Sequence, residues 1–310
     1  MNLEKRGEHV CFGGTLGLYT HASQQTGTPM RIAVFQPPQA AHGKVPALYY
    51  LAGLTCTEET FVIKAGAQRL AADLGLMLVA CDTSPRDLNL PGDSDAWDFG
   101  VAAGFYLDAT AEPWARHYRM GSYVNEELPA LIEANFAARD DRRGIFGHSM
   151  GGHGALVTAL RNPQRWHSVS AFAPISNPVA VPWGEKAFGN YLGADRKTWE
   201  AYDASLLMRA RPYPGELLVD QGTADAFLEK QLQPEALEAI VEFVTDPDLA
   251  LLSPEELEEY VPPWQAPLRL IERRCCTTGS KGIDTQPQHS TPSPKLFRQE
   301  VLIAVMLSTY

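Results

Sequence analysis

The sequence predicts an α/β fold: a mostly parallel sheet with helices on both faces. Three observations carry the prediction. Short continuous apolar runs of strand length recur, as at Ala47-Leu48-Tyr49-Tyr50-Leu51 and residues 76–80. A stretch with helical spacing lies between those two runs, and strand, helix and strand in that order imply a parallel pair joined by a right-handed crossover. Further on, Gly144-Ile145-Phe146 runs into the glycine-rich Gly147-His148-Ser149-Met150-Gly151, after which small apolar residues resume with helical character.

Taken in order, Arg31 to Gln36 alternates, is β-prone and meets Pro37-Pro38, which reads as a strand ending in a turn. Residues 47–51 form a buried strand. Phe61 to Gly75 has helical spacing (Phe61, Ala65, Leu70, Leu74) and ends at Gly75. Leu76 to Ala80 is the next strand. Asp82 to Trp97, rich in Pro, Asp, Ser and Gly, reads as a long functional loop. Ser122 to Ala137 is expected to be helical, as is Gly152 to Leu160, which Asn162-Pro163 ends. Ser168 to Phe172 and Glu216 to Val219 are two more strands. Between them, Pro174 to Tyr213 reads as a loop-rich insertion with one helix. No internal repeat is evident.

With 310 residues, 45% of them hydrophobic, the chain suits one large α/β domain with a sizeable core. A formal net charge of -11 argues against a nucleic-acid partner, which needs a basic surface. No run of about 18 apolar residues suggests a membrane span. Met1-Asn2-Leu3-Glu4-Lys5-Arg6 lacks the apolar stretch of a secretory signal. The five cysteines (Cys11, Cys56, Cys81, Cys275, Cys276) form no C-x-x-C pair, so a zinc or thioredoxin site is not expected. A reducing, cytoplasmic setting is the simplest account of them.

The pattern G-x-S-x-G is common by chance, but here it follows an apolar strand and opens a helix, as the nucleophile elbow of an α/β-hydrolase fold requires. The reason is steric: a nucleophile on a cramped strand-to-helix turn needs small neighbours two positions away, and Gly147, Gly151 and Gly152 supply the room. The helix N-terminus then offers N–H groups and positive partial charge to a developing oxyanion. Ser149 is thus the candidate nucleophile. Gly53-Leu54-Thr55-Cys56 follows an upstream strand, where this fold places its second oxyanion donor, so the candidate oxyanion hole is the backbone N–H of Leu54 with that of Met150. Asp225, on the loop after the strand ending near Val219, fits the chain order Ser…Asp…His as the acid that orients a histidine. Asp220 is its local rival, better placed for a structural hydrogen bond. One histidine follows Asp225, His289, and its surroundings Gln286-Pro287-Gln288-His289-Ser290 read as a solvated loop. His148 and His153 suit packing or substrate contact better than a base. Cys56 beside the oxyanion loop is a reactive thiol or, more commonly, an inert one. Trp97, Trp183 and Trp199 line an acyl pocket or pack in the core.

Several segments together resemble the S-formylglutathione hydrolases of the esterase D family. They are residues 51–58, Leu51-Ala52-Gly53-Leu54-Thr55-Cys56-Thr57-Glu58; Asp82-Thr83-Ser84-Pro85-Arg86; the elbow continuing as Gly152-His153-Gly154-Ala155-Leu156; Ala171-Phe172-Ala173-Pro174-Ile175-Ser176-Asn177-Pro178; and Gln221-Gly222-Thr223-Ala224-Asp225. The resemblance implies a cytoplasmic, cofactor-free serine thioesterase that splits S-formylglutathione into glutathione and formate in formaldehyde detoxification and also cleaves simple esters. Its implied residues are Ser149, Asp225, Leu54 and Met150. The implied partner is a small-molecule substrate, with a homodimer left open. An acyltransferase or a catalytically weak binding protein on the same scaffold are the alternatives.

The resemblance spans residues 1–240, the expected hydrolase domain. Residues 241–310 depart from it. The family continues there with a strand and a Gly-Tyr-Asp-His-type motif that carries the catalytic histidine, and nothing here matches it. Residues 253–263 are acidic, 275–294 are polar without periodicity, and the apolar Val301 to Leu307 stands almost alone. The expectation is a divergent, partly disordered tail, a sheet lacking its last strand, and slow hydrolysis for want of a base.

Overall fold

In a computed structural model of the chain, the described residues are 3–211, 213–215 and 217–238, with the backbone alone of 269–273. Nine strands form one sheet: β1 (Leu3–Cys11), β2 (Gly14–Ala22), β3 (Pro29–Gln36), β4 (Val45–Leu51), β5 (Met77–Cys81), β6 (Ala138–His148), β7 (Ser168–Phe172), β8 (Leu217–Gly222) and β9 (Arg269–Arg273). Their order is β1-β2-β3-β5-β4-β6-β7-β8-β9. The pairs from β1 to β5 are antiparallel and those from β5 to β9 parallel, so the sheet is mostly parallel as expected.

The chain winds one way from β4 to β5 and the other way from β6 to β7. The reversal opens a crevice between β4 and β6 at their carboxyl ends, where open α/β sheets bind ligands. Alternation along β4 sends Val45, Ala47, Tyr49 and Leu51 into one buried cluster and Leu48 into a second on the opposite face. The second is covered by α1 (Glu58–Lys64) and α2 (Gln68–Leu74); the first by α4 (Leu128–Asn135) and α5 (Met150–Arg161).

Four differences from the sequence reading have physical causes. The single helix over 61–75 is two. Gly66 takes φ +66, a left-handed conformation that ends the first helix, and the buried Gln68 side chain donates to the orphaned Val62 carbonyl. The first of the two also starts earlier than the apolar spacing suggested, at a capping box built from Thr57 and Thr60. Residues 174–213 hold two α-helices rather than one, α6 (Pro182–Tyr191) and α7 (Ala204–Ala210), with a 3₁₀ segment, Arg196–Tyr202, between them. Their start signals are in the sequence, a proline opening α6 and Asp203 accepting the Leu206 N–H at the head of α7. Thirdly, β1 and β2 precede every strand read from sequence. β1 buries little, so the hydrophobic pattern that marks a strand is nearly absent. Finally, the sheet does gain a last strand: the backbone of Arg269–Arg273 pairs in parallel with β8, Val219 opposite Leu270.

Ser168–Phe172 agrees residue for residue, and the strand before the elbow is longer than Gly144–Phe146. The expected helix over 122–137 begins as α3 (Met120–Ser122), widens to a π turn at Tyr123–Glu127 and continues as α4. From Asp82 to Arg119 there is no helix and only two isolated bridges, in keeping with the long loop expected there. Among the described residues no helix is long and apolar enough to cross a membrane. The acidic 253–263 segment, residues 275–294 with Cys275, Cys276 and His289, and the 301–307 run lie outside the described residues.

Candidate active site

β6 ends in register with the carboxyl ends of its neighbours, Gly147 pairing with Leu51 of β4 and Ala171 of β7. The chain then turns sharply. Ser149 takes φ 58 and ψ -120, which a non-glycine residue holds only when its surroundings over-determine it. Its N–H donates to the Phe172 carbonyl at 2.8 Å, and its carbonyl accepts the His153 N–H at 3.0 Å. α5 begins at the next residue.

The glycines around the turn leave no room for side chains. A Cβ on Gly147 would overlap the Gly151 carbonyl and come within 2.7 Å of the Leu51 oxygen. One on Gly151 would overlap the Leu51 carbonyl, 2.7 Å from the Ala52 oxygen. The end of β4 is therefore pressed against the first turn of α5.

The loop after β4 closes over the serine. The position a Cβ on Gly53 would occupy is 3.3 Å from the Ser149 Cβ and 3.6 Å from His148 Nδ1. Among the described residues, the N–H groups of Leu54 and Met150 have no hydrogen-bond acceptor, and neither does the Ser149 hydroxyl have a partner. Two unsatisfied donors thus flank a half-buried hydroxyl, one from the loop and one from the N-terminus of α5, whose dipole adds positive potential.

Asp225 lies three residues beyond β8, partly exposed. One carboxylate oxygen accepts the Phe227 N–H at 2.8 Å. Asp220, the rival, is within β8 itself, and its carbonyl accepts the Ala173 N–H at 2.8 Å. The carboxylate of Asp225 bears on His148: crowding by protein lowers the His148 pKa from its ordinary value, and the Asp225 charge opposes that. His148 is nonetheless exposed, so the desolvation is partial. No sequence signal beyond its place in the elbow marks His148 for this neighbour.

His153 is fully buried. Its Nε2 lies 3.2 Å from the Phe105 carbonyl, and burial pushes its pKa down to about 4. The ring packs beside Phe105 and Phe188, as the packing reading expected. Trp97 stands exposed with its ring edge-on to Trp183, which in turn touches Phe227, two residues from Asp225. Trp199 packs in the core against Phe188. Cys56 is half-buried with a free thiol, and Cys81 is buried.

Comparison with known proteins places this geometry. The Esterase family model matches residues 23–266. The S-formylglutathione hydrolase of Mus musculus is 54% identical over 239 residues, 76% of this chain and 84% of that protein. That of Paracoccus denitrificans is 53% identical over 230 residues, 74% of this chain and 82% of its own length. The solved structure of an S-formylglutathione hydrolase from Agrobacterium tumefaciens superposes with a TM-score of 0.82 at 38% identity, covering 99% of this chain and 98% of that one. With its sheet order, its elbow and these relatives together, the chain belongs to the esterase family of α/β-hydrolase-fold serine hydrolases that contains the S-formylglutathione hydrolases.

Proposed function

We propose that the chain hydrolyses S-formylglutathione to glutathione and formate, and small carboxylic esters besides, with Ser149 as nucleophile. The observation that supports this most is the meeting of the strained Ser149 with two acceptor-free N–H groups, in a chain about half identical to named S-formylglutathione hydrolases. Ser149 Oγ bonds to the formyl carbon as its proton passes to a base. The carbonyl oxygen becomes an oxyanion held by the N–H groups of Leu54 and Met150. The C–S bond breaks and glutathione leaves as its thiol, taking the proton back. Water then attacks the formyl-serine ester, releasing formate and restoring the hydroxyl.

Asp225 is the proposed acid. Its loop places a carboxylate beyond β8, and the backbone bond to Phe227 N–H holds it in one orientation. His289, which follows Asp225 in the sequence, lies outside the described residues. Sites of this kind without one triad member retain about 10³–10⁴-fold acceleration over water from oxyanion stabilisation and binding. We therefore expect slow hydrolysis by this chain. We retain residues 1–240 as the catalytic body and 241–310 as a divergent tail.

The test is hydrolysis of S-formylglutathione and p-nitrophenyl acetate by the full chain and by Ser149→Ala. Turnover above background that depends on Ser149 supports the proposal; equal rates in the two proteins refute it. Neither the acyltransferase nor the binding-only alternative gains support from the relatives. A dominant transfer product with an added alcohol would revive the first.

A further inference from the structure

We infer that Thr83, Arg86 and Tyr106 are positioning residues that aim the Leu54 N–H at the reacting carbonyl by holding the backbone on both sides of it. The inference rests on the proposed roles of Ser149 and Leu54, and it gives the segment Asp82-Thr83-Ser84-Pro85-Arg86 a purpose that those roles leave unexplained.

Hydrogen bonds hold the backbone on both sides of Leu54 and leave its own N–H without an acceptor among the described residues. Before it, the Ala52 carbonyl accepts the Tyr106 hydroxyl at 2.8 Å. The Gly53 carbonyl accepts the Cys56 N–H at 3.3 Å, closing a turn. After it, the Thr55 N–H donates to the Ala102 carbonyl at 3.0 Å, and the Cys56 carbonyl accepts both Thr83 Oγ1 at 2.7 Å and an Arg86 guanidinium nitrogen at 3.0 Å. Thr55 sits at φ +67, a conformation a β-branched residue does not hold without support.

The supports are themselves anchored. Asp82 is almost fully buried at the end of β5. It takes the Arg86 Nε at 3.1 and 3.0 Å through its two oxygens and the Thr83 N–H at 2.8 Å. With a terminal Arg86 nitrogen also donating to Asp82 Oδ1 at 2.5 Å, the guanidinium is fixed in orientation as well as position. Tyr106, also buried, lies over Gly154 of α5, where any Cβ would overlap its ring, so the hydroxyl reaches Ala52 from a frame shared with the Ser149 helix. Oxyanion donors must lie about 2.7–3.1 Å from the developing charge. Misplacement by about 1 Å costs up to about 10²-fold. The three side chains act through the backbone and touch no substrate.

The experiment follows the labelling of Ser149 by a fluorophosphonate over a range of probe concentrations up to saturation; the probe phosphonylates serine directly and does not need full turnover. It compares the full chain with Tyr106→Phe, Thr83→Val, their double variant and Thr83→Ser. Each single loss is expected to lower the maximal phosphonylation rate about tenfold, and the double about a hundredfold, with the reversible binding constant of the probe unchanged. Thr83→Ser, which keeps the hydroxyl, restores the rate. Wild-type labelling at Ser149 with either single variant within about twofold of wild type, or a Thr83→Ser rate as low as that of Thr83→Val, overturns the inference. A wild-type chain that takes no label at all sinks the Ser149 reading instead, and this inference with it.

Discussion

The elbow and the acid loop lie at the same end of one sheet and are built on opposite principles. Around Ser149, contacts leave almost no freedom: the glycines admit two backbones within van der Waals distance, the serine N–H is tied to β7, and a loop presses on the side chain. Around Asp225 there is a partly exposed carboxylate that accepts one backbone N–H, on a turn whose backbone bonds run from the Asp225 N–H to Gly222 and from the Leu228 N–H to Asp225. A nucleophile at an unfavourable backbone angle stays there only if its surroundings compensate the strain, whereas a carboxylate acts through its field and tolerates looser placement. The strict half is therefore legible in sequence as glycines, and the loose half leaves a weaker mark.

Four measurements press on this contrast, from the largest expected effect downward. Ser149→Ala removes the proposed nucleophile, so the Ser149-dependent part of ester hydrolysis should be lost and the phosphonate adduct should vanish from the mass spectrum. A variant that still takes the label would mean another residue reacts. Gly151→Ala forces a Cβ into the Leu51 carbonyl and should cost about 3 kcal/mol in urea unfolding. A midpoint matching wild type would show that the tight packing is not needed for the fold.

His153 tests the same half through pH. Its folded pKa, pushed down to about 4 by burial, lies below its unfolded value, so the unfolded chain binds the extra proton as pH drops below about 6.5. Its contribution is thus full above that pH and is lost on acidification, by about 2 kcal/mol between pH 7 and pH 5. Replacement by Gln should flatten that part of the stability profile, and an unchanged slope would count against it. Last, Asp225→Asn should slow ester hydrolysis by less than about tenfold, because no described imidazole links the carboxylate to Ser149. It should also lower the His148 pKa further, seen in the imidazole titration by NMR, since the carboxylate charge opposes the effect of desolvation. A loss near 10⁴-fold would reveal a histidine engaged from outside the described residues.

How much was legible follows from what leaves a periodic or steric trace. β5, buried on both faces, is a continuous apolar run, and β7 mixes apolar residues with small serines; both are legible nearly to the residue. β1 buries so little that no hydrophobic pattern announces it. The break at Gly66 leaves only a slip in phase between the Phe61–Ala65 and Leu70–Leu74 pairs, which a continuous helix would put on opposite sides. Tyr106 reaches Ala52 across 54 positions, and Thr83 reaches Cys56 across 27, so no local pattern could pair them.

By itself, the sequence determined the class of sheet, the elbow at Ser149, the candidate donors Leu54 and Met150 and the candidate acid Asp225. Each depends on local sterics, periodicity or chain order, which a linear string records. Only the tertiary structure decided that the Gly53 loop lies against the serine, that the Asp225 charge acts on His148, and that distant side chains tie down the backbone flanking Leu54. Those are contacts between segments far apart in the chain, and their partners are selected by the packing of the whole sheet rather than by any neighbour in sequence.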